Sequence, residues 1–115
     1  LAAAVRLGLP FTLHQDTPVI APNMLESIWC AVNRITRNGG VLGPEYRISA
    51  YEALKAVTVH AAWQYALEGE RGSLAPGKTA DLVLLDRDPT AVEPMAIRDI
   101  RVLETIREGE TLYRA

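Results

Sequence analysis

Residues 13–20 read Leu-His-Gln-Asp-Thr-Pro-Val-Ile. His14 and Asp16 stand two residues apart, a spacing that sets both side chains on one side of an extended chain. An imidazole beside a carboxylate can move protons, because a carboxylate is a base when ionised and an acid once protonated. An ordinary reading competes: Asp-Thr-Pro is turn chemistry, with Thr17 and Pro18 shaping the exit of the loop. On residue types alone the turn is favoured for Asp16, and a packed, hydrogen-bonded imidazole is as good a reading for His14 as a substrate contact.

The other reactive side chains offer less. There are two histidines in all, His14 and His60, and no pair at the spacing of metal ligands on a helix. His60 falls at a helical junction, where capping or solvation is the default. The single cysteine, Cys30, lies among Ile28, Trp29, Ala31 and Val32, which predicts a buried thiol. Trp29 and Trp63 have apolar neighbours and read as core or as packing between helix and barrel. Arg34 could meet a carboxylate, although a helix-surface arginine is usually solvated or paired.

These residues need elements to hold them. Leu1–Leu7 is Ala-rich, with Gly8 and Pro10 placed to end a helix. Pro10–His14 reads as a short strand, with Thr12, His14 and Asp16 on one side and Phe11, Leu13 and Gln15 on the other. A second helix is expected over Met24–Arg37, because Leu25, Ile28, Trp29, Val32 and Ile35 form a stripe at spacings of three and four. Asn38-Gly39-Gly40 stops it. Ser49-Ala-Tyr-Glu52 is a capping box for a third helix, which the β-branched Thr58-Val59 can split in two. Beyond Gly69 the pattern turns to strands. A short strand with a type II turn at Pro76-Gly77 is expected over 72–78, then a strand at Leu82–Leu85 covered on both faces. A hairpin follows, Arg101–Arg107 and Glu110–Arg114 across Glu108-Gly109.

The totals exclude several classes. At 115 residues, 49% hydrophobic and 23% charged, the chain is globular and not disordered. A net charge of −2 with scattered cations predicts neither nucleic acid nor an anionic membrane as partner. No apolar run approaches the roughly 20 residues of a membrane-spanning helix. One cysteine excludes an internal disulfide and suits a reducing, cytoplasmic setting. The chain begins without Met on residues typical of mid-helix, so a fragment or a processed product is expected.

The stretch Gly72-Ser-Leu-Ala-Pro-Gly-Lys-Thr-Ala-Asp-Leu-Val-Leu-Leu-Asp86 resembles the C-terminal signature of the amidohydrolase superfamily. There it supplies strands of a small β-sandwich beside a metal-dependent (β/α)8 barrel. The Ala53-Leu54, Thr58 and Ala61 pattern is similar to the last barrel-side helices. Leu13-His-Gln-Asp-Thr-Pro-Val19 resembles the end of the eighth barrel strand in the amidohydrolase 3, or YtcJ-like, branch.

The resemblance implies an α/β fold: residues 1–68 as the last strand and helices of a (β/α)8 barrel, residues 69–115 as strands of the composite β-sandwich. It implies a hydrolase of non-peptide C–N bonds in small amide-type substrates. Asp16 would be general base and acid and a ligand of a divalent metal, zinc, while His14 would contact substrate. The family's metal-binding histidines have no counterpart in residues 1–115, and such a barrel needs about 250 residues. The expected partner is therefore the rest of the barrel chain, and this part alone is expected to be inactive and to hold no metal tightly. The competing expectation is a small non-catalytic α+β interaction module. In isolation, either form is expected to associate with itself through its uncovered apolar stripe.

Overall fold

The computed structural model describes residues 1–115. Four short helices come first: α1 (Ala2–Arg6), α2 (Met24–Asn33), α3 (Ala50–Val57) and α4 (Val59–Gln64). Three antiparallel strands follow, β1 (Leu82–Leu85), β2 (Val102–Arg107) and β3 (Glu110–Arg114), paired in the order β1-β2-β3.

The helix α2 organises the core. The Asn23 side chain caps it by accepting from the amides of Leu25 and Glu26, satisfying two of its free donors. Its predicted stripe buries Leu25, Ile28 and Trp29 against Ile48, Ala53 of α3, Ile97 of a 3-10 segment at Pro94–Asp99, and Ile100 just after it. Ile28 and Ile97 are each only 1% exposed. Burial of side chains of this size contributes about 1.5–3 kcal/mol each. The segment from the β half is thus part of the same core as the helices.

The helix ends at Asn33, four residues before the expected Arg37. Arg34 turns left-handed (φ 54°), and the Asn33 side chain donates to the carbonyls of Trp29 and Pro94 at 3.0 and 2.9 Å. A contact with a segment 61 residues away decides the boundary, beyond the reach of local periodicity. Ile35 then pairs as an isolated bridge with Val41.

The break at Thr58 separates α3 from α4, as the β-branched pair predicts; Thr58 has φ −125° and ψ −91°. Of the capping box, half is present. The Ser49 hydroxyl accepts from the Glu52 amide at 3.2 Å, while the Glu52 carboxylate pairs with Lys55 at 2.8 Å instead of reaching back.

In the β half, the Pro76-Gly77 turn forms with Gly77 at φ 89° and the Lys78 amide bonded to the Ala75 carbonyl. The flanking residues 72–78 form no strand. Lys78 holds this loop instead, its ammonium bonded to the carbonyl of Glu68 at 2.6 Å and the Ser73 hydroxyl at 2.8 Å. The hairpin turns at Glu108-Gly109, both with positive φ, which matches the twist of the strands it joins.

The acids that bracket the apolar run Leu82–Leu85 lock both its ends to β2. The Asp81 carboxylate accepts from the Glu108 amide at 2.9 Å and pairs with Arg71, and Asp86 accepts from the amide and Nε of Arg101, both at 2.9 Å. These hydrogen bonds, with the neighbouring guanidinium groups, hold both carboxyls below the ordinary carboxylate range. Lys78 and Asp81 are therefore structural. The expectation that β1 is covered on both faces is not met: Val83 is 54% and Leu84 44% exposed, and Val83 borders an open apolar cavity lined also by Leu54, Val57 and Leu74.

Candidate functional site

The segment Pro10–Gln15 is extended but makes no backbone hydrogen bond, so the predicted strand is absent. A ladder needs a neighbour, and within residues 1–115 no strand runs alongside. The alternation survives in part, since Thr12 is half-buried against α4. Phe11 and Leu13 turn towards the core around α2, while His14 and Asp16 are exposed.

Three side-chain bonds take the place of a ladder, one of them from the Thr12 hydroxyl to Gln64 Oε1 of α4 at 2.7 Å. At the start, His60 Nδ1 meets the Phe11 carbonyl at 3.1 Å, and its ring stands edge-on to Phe11 with centroids 5.8 Å apart. His60 is thus neither a cap nor free in solvent; it ties the α4 side of the helical pair to the extended segment. At the other end, Gln15 Nε2 donates to the Asn23 carbonyl, which also accepts the first intrahelical bond from Ser27.

Between Gln15 and Asn23 the chain makes a tight loop. Asp16 sits in the left-handed region at φ 54°, which aspartate tolerates better than most residues. Its carbonyl accepts from the Val19 amide at 2.8 Å, the Thr17–Pro18 peptide is cis, and the Thr17 hydroxyl donates to the Ile20 carbonyl at 3.1 Å. The turn reading and the proton-handling reading are compatible. The backbone of Asp16 makes the turn, and its carboxylate is left out of every ion pair of the chain.

His14 lines a small cavity of about 210 Å³ with Leu13, Gln15, Ile20, Cys30 and Arg34; Asp16 lies outside it. Cys30 is exposed here, not buried as its apolar neighbours predict, because it falls on the face of α2 opposite the core. Partial burial, and next the nearby Glu26, raise its thiol pKa and leave it a poor nucleophile. Arg34 is spoken for: its Nε donates to the carbonyls of Leu42 and Gly43, and the guanidinium lies 5.8 Å from the Tyr46 ring centre. Trp29 is buried as predicted, with its indole N–H on the Met95 carbonyl at 3.2 Å. Trp63 is not; it is 54% exposed on α4.

No three His, Cys, Asp or Glu side chains gather anywhere in the chain as a metal would require. Residues 1–115 alone do not fit a divalent ion, and Asp16 offers one carboxylate at most.

Similarity to known proteins supplies the context. The model of the amidohydrolase family matches residues 1–113. The chain belongs to that family. It is 35% identical over 106 residues to the N-substituted formamide deformylase of Arthrobacter pascens, and 30% identical over 101 residues to the putative amidohydrolase YtcJ of Bacillus subtilis. These alignments take in 92% and 85% of the chain but 20% and 19% of the relatives, so the amidohydrolase chain spans about a fifth of their length. Among solved structures, an amidohydrolase from Thermotoga maritima superposes with a TM-score of 0.66 at 26% identity, over 96% of this chain and 24% of that one. Guanine deaminase of E. coli shares the fold, with a TM-score of 0.71 over 98% of this chain and 29% of that one, at 22% identity. No helix of the chain is long and apolar enough to cross a membrane.

Proposed function

We propose that this chain is the C-terminal part of a hydrolase that cleaves a non-peptide C–N bond in a small amide or cyclic amide, with Asp16 moving the protons. In this reading, residues 1–68 are the last strand and helices of a (β/α)8 barrel, and residues 69–115 are strands of its flanking β-sandwich. The observation that carries it is the placement of Asp16. It is exposed, free of ion pairs, and stands at the end of an extended segment whose alternate residues, Phe11 and Leu13, face the helices. In a barrel the side left exposed by His14 and Asp16 is the interior, and residues at strand C-terminal ends build the site.

The chemistry asked of the carboxylate is balanced. It takes a proton from the attacking water as the C–O bond forms, then gives that proton to the nitrogen as the C–N bond breaks. General acid–base catalysis of this kind contributes about 10²–10⁴-fold. His14, on the same side, contacts the substrate. The relative that removes formyl groups from N-substituted formamides acts on the same kind of bond. The divalent metal, zinc, belongs to the complete enzyme. Its remaining ligands, like most of the substrate pocket, come from the rest of the barrel chain. The single cysteine of residues 1–115 supports a reducing, cytoplasmic setting for the enzyme.

A second reading rests on uncovered apolar surface, though not on the α2 stripe expected to be exposed, because Leu25, Ile28 and Trp29 are core. Leu74, Tyr65 and Val19 are 85%, 75% and 74% exposed, and such surfaces drive association. If a cell used these 115 residues alone, they would form a self-associating module with no hydrolase activity.

The intact mass of the protein from its native source separates the two. A mass several times 12.6 kDa, with hydrolysis of an N-substituted formamide or cyclic amide by the purified protein, supports the enzyme. A mass near 12.6 kDa supports the module.

A further inference from the structure

We propose that Gln15 is a positioning residue for Asp16, acting through a clamp on the start of α2; this rests on the reading of Asp16 as the proton-handling group. The segment that leads to Asp16 has no backbone hydrogen bond of its own from Pro10 to Gln15. After Asp16 the chain has only its turn bond, Val19 amide to Asp16 carbonyl, and the Thr17 hydroxyl on Ile20. Neither bond fixes the turn relative to the helices.

The Gln15 side chain does. Its Nε2 reaches across the loop to the carbonyl of Asn23. That carbonyl is itself fixed, because Asn23 caps α2 through its side chain and receives the Ser27 amide at 3.2 Å. The partner of Gln15 is therefore the rigid first turn of a helix whose next residues, Leu25, Ile28 and Trp29, are core. Gln15 is half-buried against the start of α2 while Asp16 is exposed, so the clamp holds the backbone and leaves the carboxylate unobstructed. A left-handed aspartate persists only where its surroundings hold it, and displacement of a catalytic group by about 1 Å can cost about 10²-fold in rate.

The test uses the full-length enzyme with Gln15→Met, which keeps length and loses the donor, alone and combined with Asp16→Asn. The clamp predicts a kcat lowered at least ten-fold with KM within two-fold, no further loss from Gln15→Met in the Asp16→Asn background, and faster hydrogen exchange at the Val19 amide. Should Gln15→Met fail to fold, Gln15→Glu, which when ionised also lacks the donor, is put through the same cycle. Near-normal kcat in the Gln15 variant, beside a large loss in Asp16→Asn, overturns the clamp and leaves the base in place. Equal losses from Gln15→Met in both backgrounds also overturn it, since they mark a merely structural contact. Near-normal turnover of Asp16→Asn overturns the underlying assignment itself.

Discussion

The imidazole of His60 and the main chain of Phe11 meet at 3.1 Å, joining a helix to an extended segment 49 residues earlier in the chain. That contact holds the near end of the segment that carries His14 and Asp16. Its removal by His60→Ala is expected to cost about 0.5–1.5 kcal/mol, the net worth of one hydrogen bond. Urea unfolding of the full protein measures it, and asparagine at the same position, which also carries a donor, is expected to recover part of the loss.

A second close approach explains a glycine of the C-terminal signature. Gly72 has φ 86°, and a Cβ built on it would fall 2.6 Å from the Ala62 Cβ and 3.1 Å from the Thr58 carbonyl oxygen. Gly72→Ala is therefore expected to destabilise by more than about 1 kcal/mol, since backbone strain and a clash add. Gly77→Ala, at φ 89° with open space around it, carries the strain without the clash and is expected to cost less. The difference between the two thermal midpoints checks the packing of α4 against this loop.

Low pH is expected to loosen the β half. The Asp81 carboxyl is held down by the Glu108 amide and by Arg71, Asp86 by Arg101, and Glu104 by the Thr111 hydroxyl and Arg114. A carboxyl whose pKa is lower when folded than unfolded adds stability above its unfolded value, about 4, and loses it as pH falls through the folded value. The thermal midpoint should fall as pH drops from about 5 to about 3. The fall should be shallower in Asp81→Asn. The pairs are exposed, so salt should weaken the effect.

The buried centre gives the largest expected loss. Ile97→Ala removes a side chain 1% exposed between α2 and the β half, and is expected to cost about 2–5 kcal/mol. Denaturant unfolding followed through Trp29, which lies in the same cluster, reports it directly.

Local chemistry was legible wherever it is self-contained. The Ser49 cap, the turns at Pro76-Gly77 and Glu108-Gly109, the stripe of α2 and the break at Thr58 follow from residues within a few positions of each other. The two-residue alternation around His14 and Asp16 was legible too, and it survives although no strand forms there. What the sequence hid is set at long range. Asn33 ends α2 by reaching Pro94, and His60 fastens Phe11. Cys30 and Trp63 have apolar neighbours in sequence but face away from the core in space. Val83 and Leu84 carry the pattern of a covered strand, and within residues 1–115 they stay about half exposed.

The proton-handling role of Asp16 is tested most directly by the turnover of Asp16→Asn in the full-length enzyme, measured with an N-substituted formamide or cyclic amide it hydrolyses. Asparagine keeps the size of the side chain and tolerates the left-handed backbone, so the fold should be unchanged by circular dichroism. The expected result is a kcat lower by about 10²–10⁴-fold. A kcat within a few-fold of the unsubstituted enzyme would contradict the assignment and leave Asp16 as a turn residue alone.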